Sequence, residues 1–246
     1  MLSSGDILTN MRTSGIKTGT LKYCLQLTAS RLMVVENRNR MMHEKKIVSA
    51  GKKLSEAKKA LVMIHGRGAT AEDILGLSSE LDVNDFALIA PQATNYTWYP
   101  YSFIAPIHQN EPWLSSAIQM LGDVISDIRS AGIAEENIYF AGFSQGACLT
   151  LEFIARNARR WGGAIAFTGG LIGDKIYKEN YKGDFAGTPI FIGTSDPDPH
   201  VPVERVYAST NILKSMNANV VEKIYPNMGH TISMDEISSA NKLIFK

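Results

Sequence analysis

A serine flanked by two glycines lies near the middle of the chain, in the run Gly142-Phe143-Ser144-Gln145-Gly146. An apolar stretch of strand length, residues 138–141, comes directly before it. Because glycine lacks a side chain, both flanking positions can pack tightly in a strained turn from a strand into a helix, which lifts the serine hydroxyl out of the sheet. The pattern predicts that Ser144 is a nucleophile, provided that the chain also supplies a base and an acid.

Candidates for the base and the acid follow Ser144, each behind a further apolar run. A serine hydroxyl is a poor nucleophile at neutral pH, so it needs a histidine to take its proton and an acid to orient that histidine. His230 lies just past an apolar run and one residue beyond a glycine, which makes it the predicted base. Asp196 and Asp198 follow an earlier run, and both are candidates for the acid, although Asp196 precedes a proline and is also typical of a turn. His200 follows Asp198 too closely to be oriented by it while reaching the serine, so we expect a structural role.

An oxyanion hole requires two backbone N–H groups that face the developing negative oxygen. The residue after the nucleophile, Gln145, is expected to supply one of them. The run His65-Gly66-Arg67-Gly68 follows the first strong apolar stretch, and its glycines allow a sharp turn with the Arg67 N–H facing the site. Arg67 and Gln145 are therefore the predicted donors.

From residue 43 onward, apolar runs of strand length alternate with longer segments of helical period. This alternation predicts an α/β fold with a mostly parallel central sheet and helices on both faces. The predicted strands are 45–50, 60–65, 86–90, 137–142, 163–168, 189–193 and 220–225. Helices are expected after Pro112, from Gln145 to about Asn157, from Val203 to Met216, and from Ser233 to the C-terminus.

The segment 94–112 fits neither period, is rich in aromatic residues and is long for a connection. We expect a functional loop there. Trp98, Tyr99 and Phe103 are the predicted pocket residues, because aromatic side chains offer apolar area and tyrosine and tryptophan also carry a polar tip.

Composition excludes several functional classes. The chain has 246 residues, 45% of them apolar and 20% charged, which suits one sizeable core. With a net charge of +1 and no basic run interleaved with aromatic residues, it lacks the electrostatic footprint of a nucleic-acid-binding protein. Apolar runs are too short for a membrane span, and no phosphate-binding loop or metal-ligand spacing is present, so we expect no integral membrane association, no cofactor and no metal. The two cysteines favour a reducing compartment, and we expect a cytoplasmic protein whose oligomeric state is open, a homodimer included.

Residues 1–41 differ from the rest of the chain, since they carry several Arg and Lys, few acids and no clear period. We expect a poorly ordered extension there, followed by one domain over residues 42–246. Because a strand-like pattern begins just after Met41-Met42, one hypothesis places the natural translation start there. An organelle transit peptide is the alternative.

Taken together, residues 44–246 resemble the phospholipase/carboxylesterase family of α/β-hydrolases, which includes bacterial carboxylesterases and acyl-protein thioesterases. The resemblance rests on six short motifs: His65-Gly66-x-Gly68, Pro91-Gln92-Ala93, Trp98-Tyr99, the pentapeptide around Ser144, Asp198-Pro199-x-Val201-Pro202, and Gly229-His230. It implies the α/β-hydrolase fold, a triad of Ser144, Asp198 and His230, and oxyanion donors at Arg67 and Gln145. One departure keeps Asp196 open as the acid, because the family's Gly-x-x-Asp spacing counted from Gly193 falls on Asp196.

These patterns predict a serine hydrolase that cleaves small-molecule carboxylic esters of short to medium acyl chain through an acyl-enzyme intermediate. A thioesterase or lysophospholipase acting on longer acyl chains would use the same residues and is the first alternative. A hydrolase fold retained only for binding is the second, and it would be expected to lack part of the triad.

Overall fold

Seven strands form the centre of the protein in the computed structural model, which describes residues 43–245. Most residues of the five interior strands are buried on both faces, as expected in a mostly parallel sheet, whereas the two edge strands are more exposed. The strands are β1 Lys46–Gly51, β2 Lys59–Ile64, β3 Phe86–Gln92, β4 Ile138–Phe143, β5 Gly163–Phe167, β6 Pro189–Asp196 and β7 Asn219–Pro226.

Within residues 43–245, four α-helices connect strands and a fifth follows β7. They are α1 Ala71–Gly76, α2 Trp113–Ser130, α3 Gln145–Arg156, α4 Val203–Ser215 and α5 Met234–Ile244. The last helix begins with a capping box in which the Ser233 hydroxyl accepts from the Glu236 N–H while the Glu236 carboxylate accepts from the Ser233 N–H. This reciprocal pair satisfies donors that a helix start otherwise leaves free.

The strand order in the sheet is β1-β3-β2-β4-β5-β6-β7. Only β1 runs antiparallel to its neighbour, and the other six strands are parallel. The carboxyl ends of β2, β4, β6 and β7 therefore lie along one edge of the sheet. Residues that follow these four strands can meet there, although they are far apart in sequence.

The core lies on both faces of the sheet. On β2, Ala60, Val62 and Ile64 pack into a cluster with residues of α2, α3 and α4, whereas Leu61 and Met63 pack into a second cluster with α1 and α5. This alternation is the two-residue period of a strand that is covered on both sides. The predicted α/β-hydrolase architecture, with helices on both faces, is confirmed.

The predicted elements agree with the observed ones within a few residues, with one omission. Helix α1 was not predicted, because its six residues are too few to display a helical period. The expectations for residues 1–41 lie outside the described residues. Within residues 43–245, no helix combines the length and the apolar character that a bilayer crossing requires.

Candidate active site

Ser144 occupies a strained turn between β4 and α3, with φ of 55° and ψ of −118°. A side chain at Gly146 would collide with the main-chain carbonyl of Ile64, and one at Gly142 would collide with the carbonyl of Gly146. The two glycines are thus required by close packing of β2, β4 and α3 at this point. The backbone N–H of Ser144 donates to the Phe167 carbonyl at 3.0 Å, which fixes the turn against β5.

His230 lies between Ser144 and Asp198. Its Nε2 is 2.8 Å from the Ser144 Oγ, and its Nδ1 is 2.9 Å from the Asp198 Oδ2. The imidazole also contacts two other rings, those of Phe143 and His200, with centroids 5.2 and 4.8 Å away. Three side chains from the ends of β4, β6 and β7 thus form a continuous hydrogen-bonded chain, in the order that transfer of a proton from a serine hydroxyl requires.

The Asp198 carboxylate accepts three hydrogen bonds. Besides the His230 contact, its Oδ1 accepts from the N–H of His200 at 2.7 Å and from the N–H of Val201 at 2.9 Å. Burial alone would raise the pKa of this carboxyl, but the bonds from His200, His230 and Val201 outweigh burial, so the pKa lies below its usual range. Asp198 is therefore ionised at neutral pH and holds the ring of His230 in one orientation.

Asp196, the other candidate for the acid, is placed differently. It is the last residue of β6 and is exposed, opposite Pro226 of β7. Among the described residues, its side chain makes no hydrogen bond to His230, whereas that of Asp198 does. The apolar run ends at Gly193, but the strand continues for three more residues, so the loop that carries Asp198 begins only after Asp196.

The turn that follows β2, residues 65–68, is fixed by the buried ring of His65. The His65 ring bonds to the Gly66 carbonyl through Nδ1 at 2.7 Å, and its Nε2 accepts from the Ala93 N–H at 3.1 Å. These partners assign the proton to Nδ1, and burial lowers the pKa of His65, so the ring is neutral. His65 thus joins the carboxyl ends of β2 and β3, a structural role that explains why it accompanies Gly66 and Ala93 in the sequence motifs.

The two predicted oxyanion donors both lie beside Ser144. Gln145 is the first residue of α3, and the first N–H groups of a helix have no intrahelical acceptor. Within residues 43–245, no protein acceptor is bonded to the N–H of Arg67. Both N–H groups are thus available to a ligand.

The side chains of Arg67 and Gln145 have a second role that sequence reasoning missed. The Arg67 guanidinium donates to the Thr97 hydroxyl and to the carbonyls of Pro100 and Tyr101, at 2.9, 3.0 and 2.7 Å. The Gln145 amide accepts from the N–H of Trp98 at 2.9 Å and donates to the Tyr99 carbonyl at 2.8 Å. Residues 97–101, which we call the aromatic loop, are therefore fixed by the side chains of the same two residues that are the predicted oxyanion donors.

An open cavity of about 730 Å³ lies in front of Ser144. Tyr99 and Phe103, two of the three residues for which we expect contact with a substrate, line this cavity. Trp98 does not: although it belongs to the aromatic loop, its side chain is fully buried, and its indole N–H donates to the His65 carbonyl at 2.9 Å. Trp98 was expected to contact the pocket, but its side chain does not reach the cavity. Its indole N–H can be buried because the His65 carbonyl accepts its hydrogen bond.

Cys148, on α3, also lines the cavity but is almost fully buried. Burial raises the pKa of its thiol to about 12, so the thiolate is nearly absent at neutral pH. Cys148 is a packing residue and not a second nucleophile. In the described part of the chain, no group of three or more His, Cys, Asp or Glu residues could hold a metal ion.

Comparison with known proteins identifies relatives with the same architecture. A crystal structure of a phospholipase/carboxylesterase from Dyadobacter fermentans is 56% identical to this chain, with a TM-score of 0.83, and the match covers 83% of this chain and 98% of the other. A carboxylesterase from Bacillus cereus, at 21% identity and a TM-score of 0.66, shares the fold, with 85% of this chain and 96% of that one covered.

Curated relatives include a probable carboxylesterase, SOBER1-like, from Arabidopsis thaliana, which is 30% identical over 52% of this chain and 49% of its own length. Acyl-protein thioesterase 1 of Gibberella zeae is 30% identical over 47% of this chain and 50% of its own length. The chain thus spans about half the length of the curated relatives it matches.

The family profile described as phospholipase/carboxylesterase matches residues 43–246, which includes the whole described region. The chain therefore belongs to the phospholipase/carboxylesterase family of α/β-hydrolases.

Proposed function

We propose that this protein is a serine esterase that hydrolyses carboxylic esters of short to medium acyl chain. The observation that carries the proposal is the hydrogen-bonded chain from Ser144 through His230 to Asp198, with distances of 2.8 and 2.9 Å. His230 takes the proton of the Ser144 hydroxyl as the oxygen attacks the ester carbonyl, and Asp198 stabilises the imidazolium that forms.

The negative oxygen of the tetrahedral intermediate accepts hydrogen bonds from the backbone N–H groups of Arg67 and Gln145. His230 then gives its proton to the leaving alcohol, and an acyl group remains on Ser144. Water attacks this acyl-enzyme with His230 again acting as base, which releases the carboxylic acid. No cofactor is needed for either half of the reaction.

The acyl preference is supported by the shape of the cavity. Tyr99 and Phe103 form buried walls near Ser144, whereas Tyr101 and Ile104 stand at the rim and are 57% and 37% exposed. Each methylene that is buried against the walls gains about 0.8 kcal/mol. A chain that passes the rim gains no further burial, but it still loses conformational freedom where it is held at the rim. Catalytic efficiency should therefore rise from acetyl to medium-length acyl groups and then fall.

Covalent labelling with a fluorophosphonate probe tests the nucleophile. The wild-type protein should be labelled, Ser144→Ala should not, and Ser102→Ala, which changes another serine of the same cavity, should retain labelling. If the wild-type protein is not labelled, the proposal is wrong.

A thioesterase or lysophospholipase that acts on long acyl chains is the second candidate, and the similarity to acyl-protein thioesterase 1 favours it. Matched acetyl, butyryl, octanoyl and palmitoyl esters and thioesters separate the two. A rate that stays level or rises toward palmitoyl would replace the short-chain proposal with this one.

A further inference from the structure

The cavity in front of Ser144 has an unbalanced set of charged residues. It is lined by Arg67 and by two imidazoles, those of His200 and His230, and among the described residues no Asp or Glu lines it. Asp198 lies behind His230, where its side chain is fully buried and bonded. Asp196, the last residue of β6, is not part of the lining either.

The Arg67 guanidinium is fixed in place without a counter-ion. Its three hydrogen bonds all go to neutral oxygens of the aromatic loop. Within residues 43–245, no carboxylate lies within ion-pair distance of it, whereas Arg129, Arg156 and Arg159 each pair with a glutamate. An arginine has five N–H donors, so the Nε–H and one Nη2–H remain free for a ligand.

A fixed guanidinium with two free donors matches a carboxylate, which accepts paired hydrogen bonds from such a group. The positive end of α3, which begins at Gln145, adds to the potential at the same place. A neutral substrate group gains none of this charge interaction. Because loop bonds already hold the side chain of Arg67, binding a carboxylate costs little additional side-chain entropy.

From these observations we infer that the preferred substrates are esters that carry a carboxylate in addition to the ester group, bound through Arg67. The inference rests on the proposed esterase function and narrows its substrate class. The charge can belong to the acyl part or to the alcohol part, and the choice of substrates distinguishes these two sources.

The experiment compares pairs of substrates that differ only in charge. Monoethyl adipate and ethyl adipamate place a carboxylate or an amide on the acyl part, while butyryloxyacetate and butyryloxyacetamide place them on the alcohol part. The selectivity is the ratio of kcat/KM for the charged ester to that for its neutral partner, measured by titration of the released acid. The reference is the same ratio of rates for alkaline hydrolysis without enzyme. At low salt we expect the enzyme's selectivity in at least one pair to exceed this reference about fivefold or more. In 1 M salt the selectivity should fall, because salt screens the attraction between the charges.

Two arginine variants identify the source of the selectivity. Arg67→Gln keeps the backbone N–H at this position, so it removes the charge and part of the loop bonding while retaining the oxyanion donor. Arg205 is the matched control, because its guanidinium also bonds three loop carbonyls, those of Leu171, Gly173 and Asp174, but it does not line the cavity. Arg67→Gln should lower the selectivity at least about threefold, and Arg205→Gln should leave it unchanged.

Loss of loop bonding lowers the rate with both members of a pair, so it cancels in the ratio. If Arg67→Gln lowers the two rates equally, or if the wild-type protein shows no selectivity in either pair, the inference is overturned. Hydrolysis of the neutral esters would in that case still support the esterase function. Absence of both hydrolysis and fluorophosphonate labelling would instead contradict the proposed function itself.

Discussion

The Ser195 hydroxyl joins the loop that carries Asp198 to the loop that carries His230. Its Oγ accepts from the backbone N–H of Gly229 at 2.9 Å and donates to the Pro197 carbonyl at 3.1 Å. Each of these two partners is the residue directly before a member of the hydrogen-bonded chain. Ser195 is fully buried, so its two bonds fix the separation of the loops without competition from water.

Replacing Ser195 with alanine should therefore lower kcat more than it changes KM. We expect kcat to fall about tenfold, because a small misplacement of His230 relative to the serine weakens proton transfer. Steady-state kinetics with a butyryl ester measures the effect.

Ser209 provides the matched control for this variant. It is also fully buried, and its hydroxyl accepts from the Leu171 N–H at 2.9 Å and donates to the Arg205 carbonyl at 2.7 Å, but it lies on α4 away from the triad. Both alanine variants should lose about 1–2 kcal/mol of stability in urea unfolding, and only Ser195→Ala should lose kcat. Equal kinetic losses in the two variants would contradict a positioning role for Ser195.

The two aspartates of the acid loop should differ sharply when they are changed to asparagine. Asp198→Asn places a neutral amide against His230 and removes the charge that stabilises the imidazolium, so kcat should fall by about a thousandfold or more. Asp196→Asn changes an exposed residue at the end of β6 and should alter kcat by less than about twofold. A large loss in Asp196→Asn with little loss in Asp198→Asn would reverse the assignment of the acid.

The side chain of Gln145 can be removed without removing its backbone N–H. Gln145→Ala loses the bonds to Trp98 and Tyr99, so the aromatic loop is freed on one side. We expect the acyl-chain profile to broaden toward longer chains, since Tyr99 no longer forms a fixed wall.

Gln119, on the exposed side of α2, serves as the control, because the one side-chain bond that it makes within residues 43–245 goes to Asp123. Gln119→Ala should leave the acyl-chain profile unchanged. An unaltered profile in Gln145→Ala would show that the aromatic loop is fixed by other contacts.

Glu236 should make stability fall as the pH rises. Burial raises the pKa of its carboxyl above the unfolded value, despite the bonds from Ser233. Its favourable contribution is therefore fully present below the unfolded pKa, about 4.3, and is lost as the pH rises through the folded pKa. Glu236→Gln removes this dependence, so the Tm of the variant relative to the wild-type protein should increase from pH 4 to pH 7.

Its neighbour Asp235 has the opposite sign and serves as the control. Hydrogen bonds from Tyr225 and Lys223 lower the pKa of Asp235. Its contribution to stability is present above the unfolded pKa and is lost as the pH falls through the folded pKa. The Tm of the wild-type protein relative to that of Asp235→Asn should therefore increase as the pH rises. A Tm difference between Glu236→Gln and the wild-type protein that does not change with pH would contradict the raised pKa of Glu236.

The strands and the longer helices could be predicted because their hydrophobic period is strong and local. Ser144, His230 and the acid loop could be predicted because each follows a strand whose carboxyl end lies on one edge of the sheet. Prediction failed where a segment depended on distant partners. Sequence alone ended β6 at Gly193, but the strand continues because Thr194 and Ser195 are also buried and pair with β7.

The fixed position of the aromatic loop could not be predicted for a related reason. Its anchors are bonds from Arg67 and Gln145 to backbone carbonyls about thirty and fifty positions away, and no local pattern encodes such contacts. Trp98 was expected in the pocket from its residue type alone. In the structure its buried indole N–H donates to the carbonyl of His65, in the turn after β2, and no local sequence pattern indicates this contact.

His230, the predicted base, follows β7, which is one of the two edge strands of the sheet. β7 is the last strand of the sheet, bonded to β6 alone within the described residues, and most of its length is only partly buried. Strands at a sheet edge can detach at a lower free-energy cost than interior strands. The three tryptophans of the sequence, Trp98, Trp113 and Trp161, all lie outside β7, so their fluorescence does not report directly on this strand. We therefore expect catalytic activity to be lost at urea concentrations at which tryptophan fluorescence still reports a folded sheet.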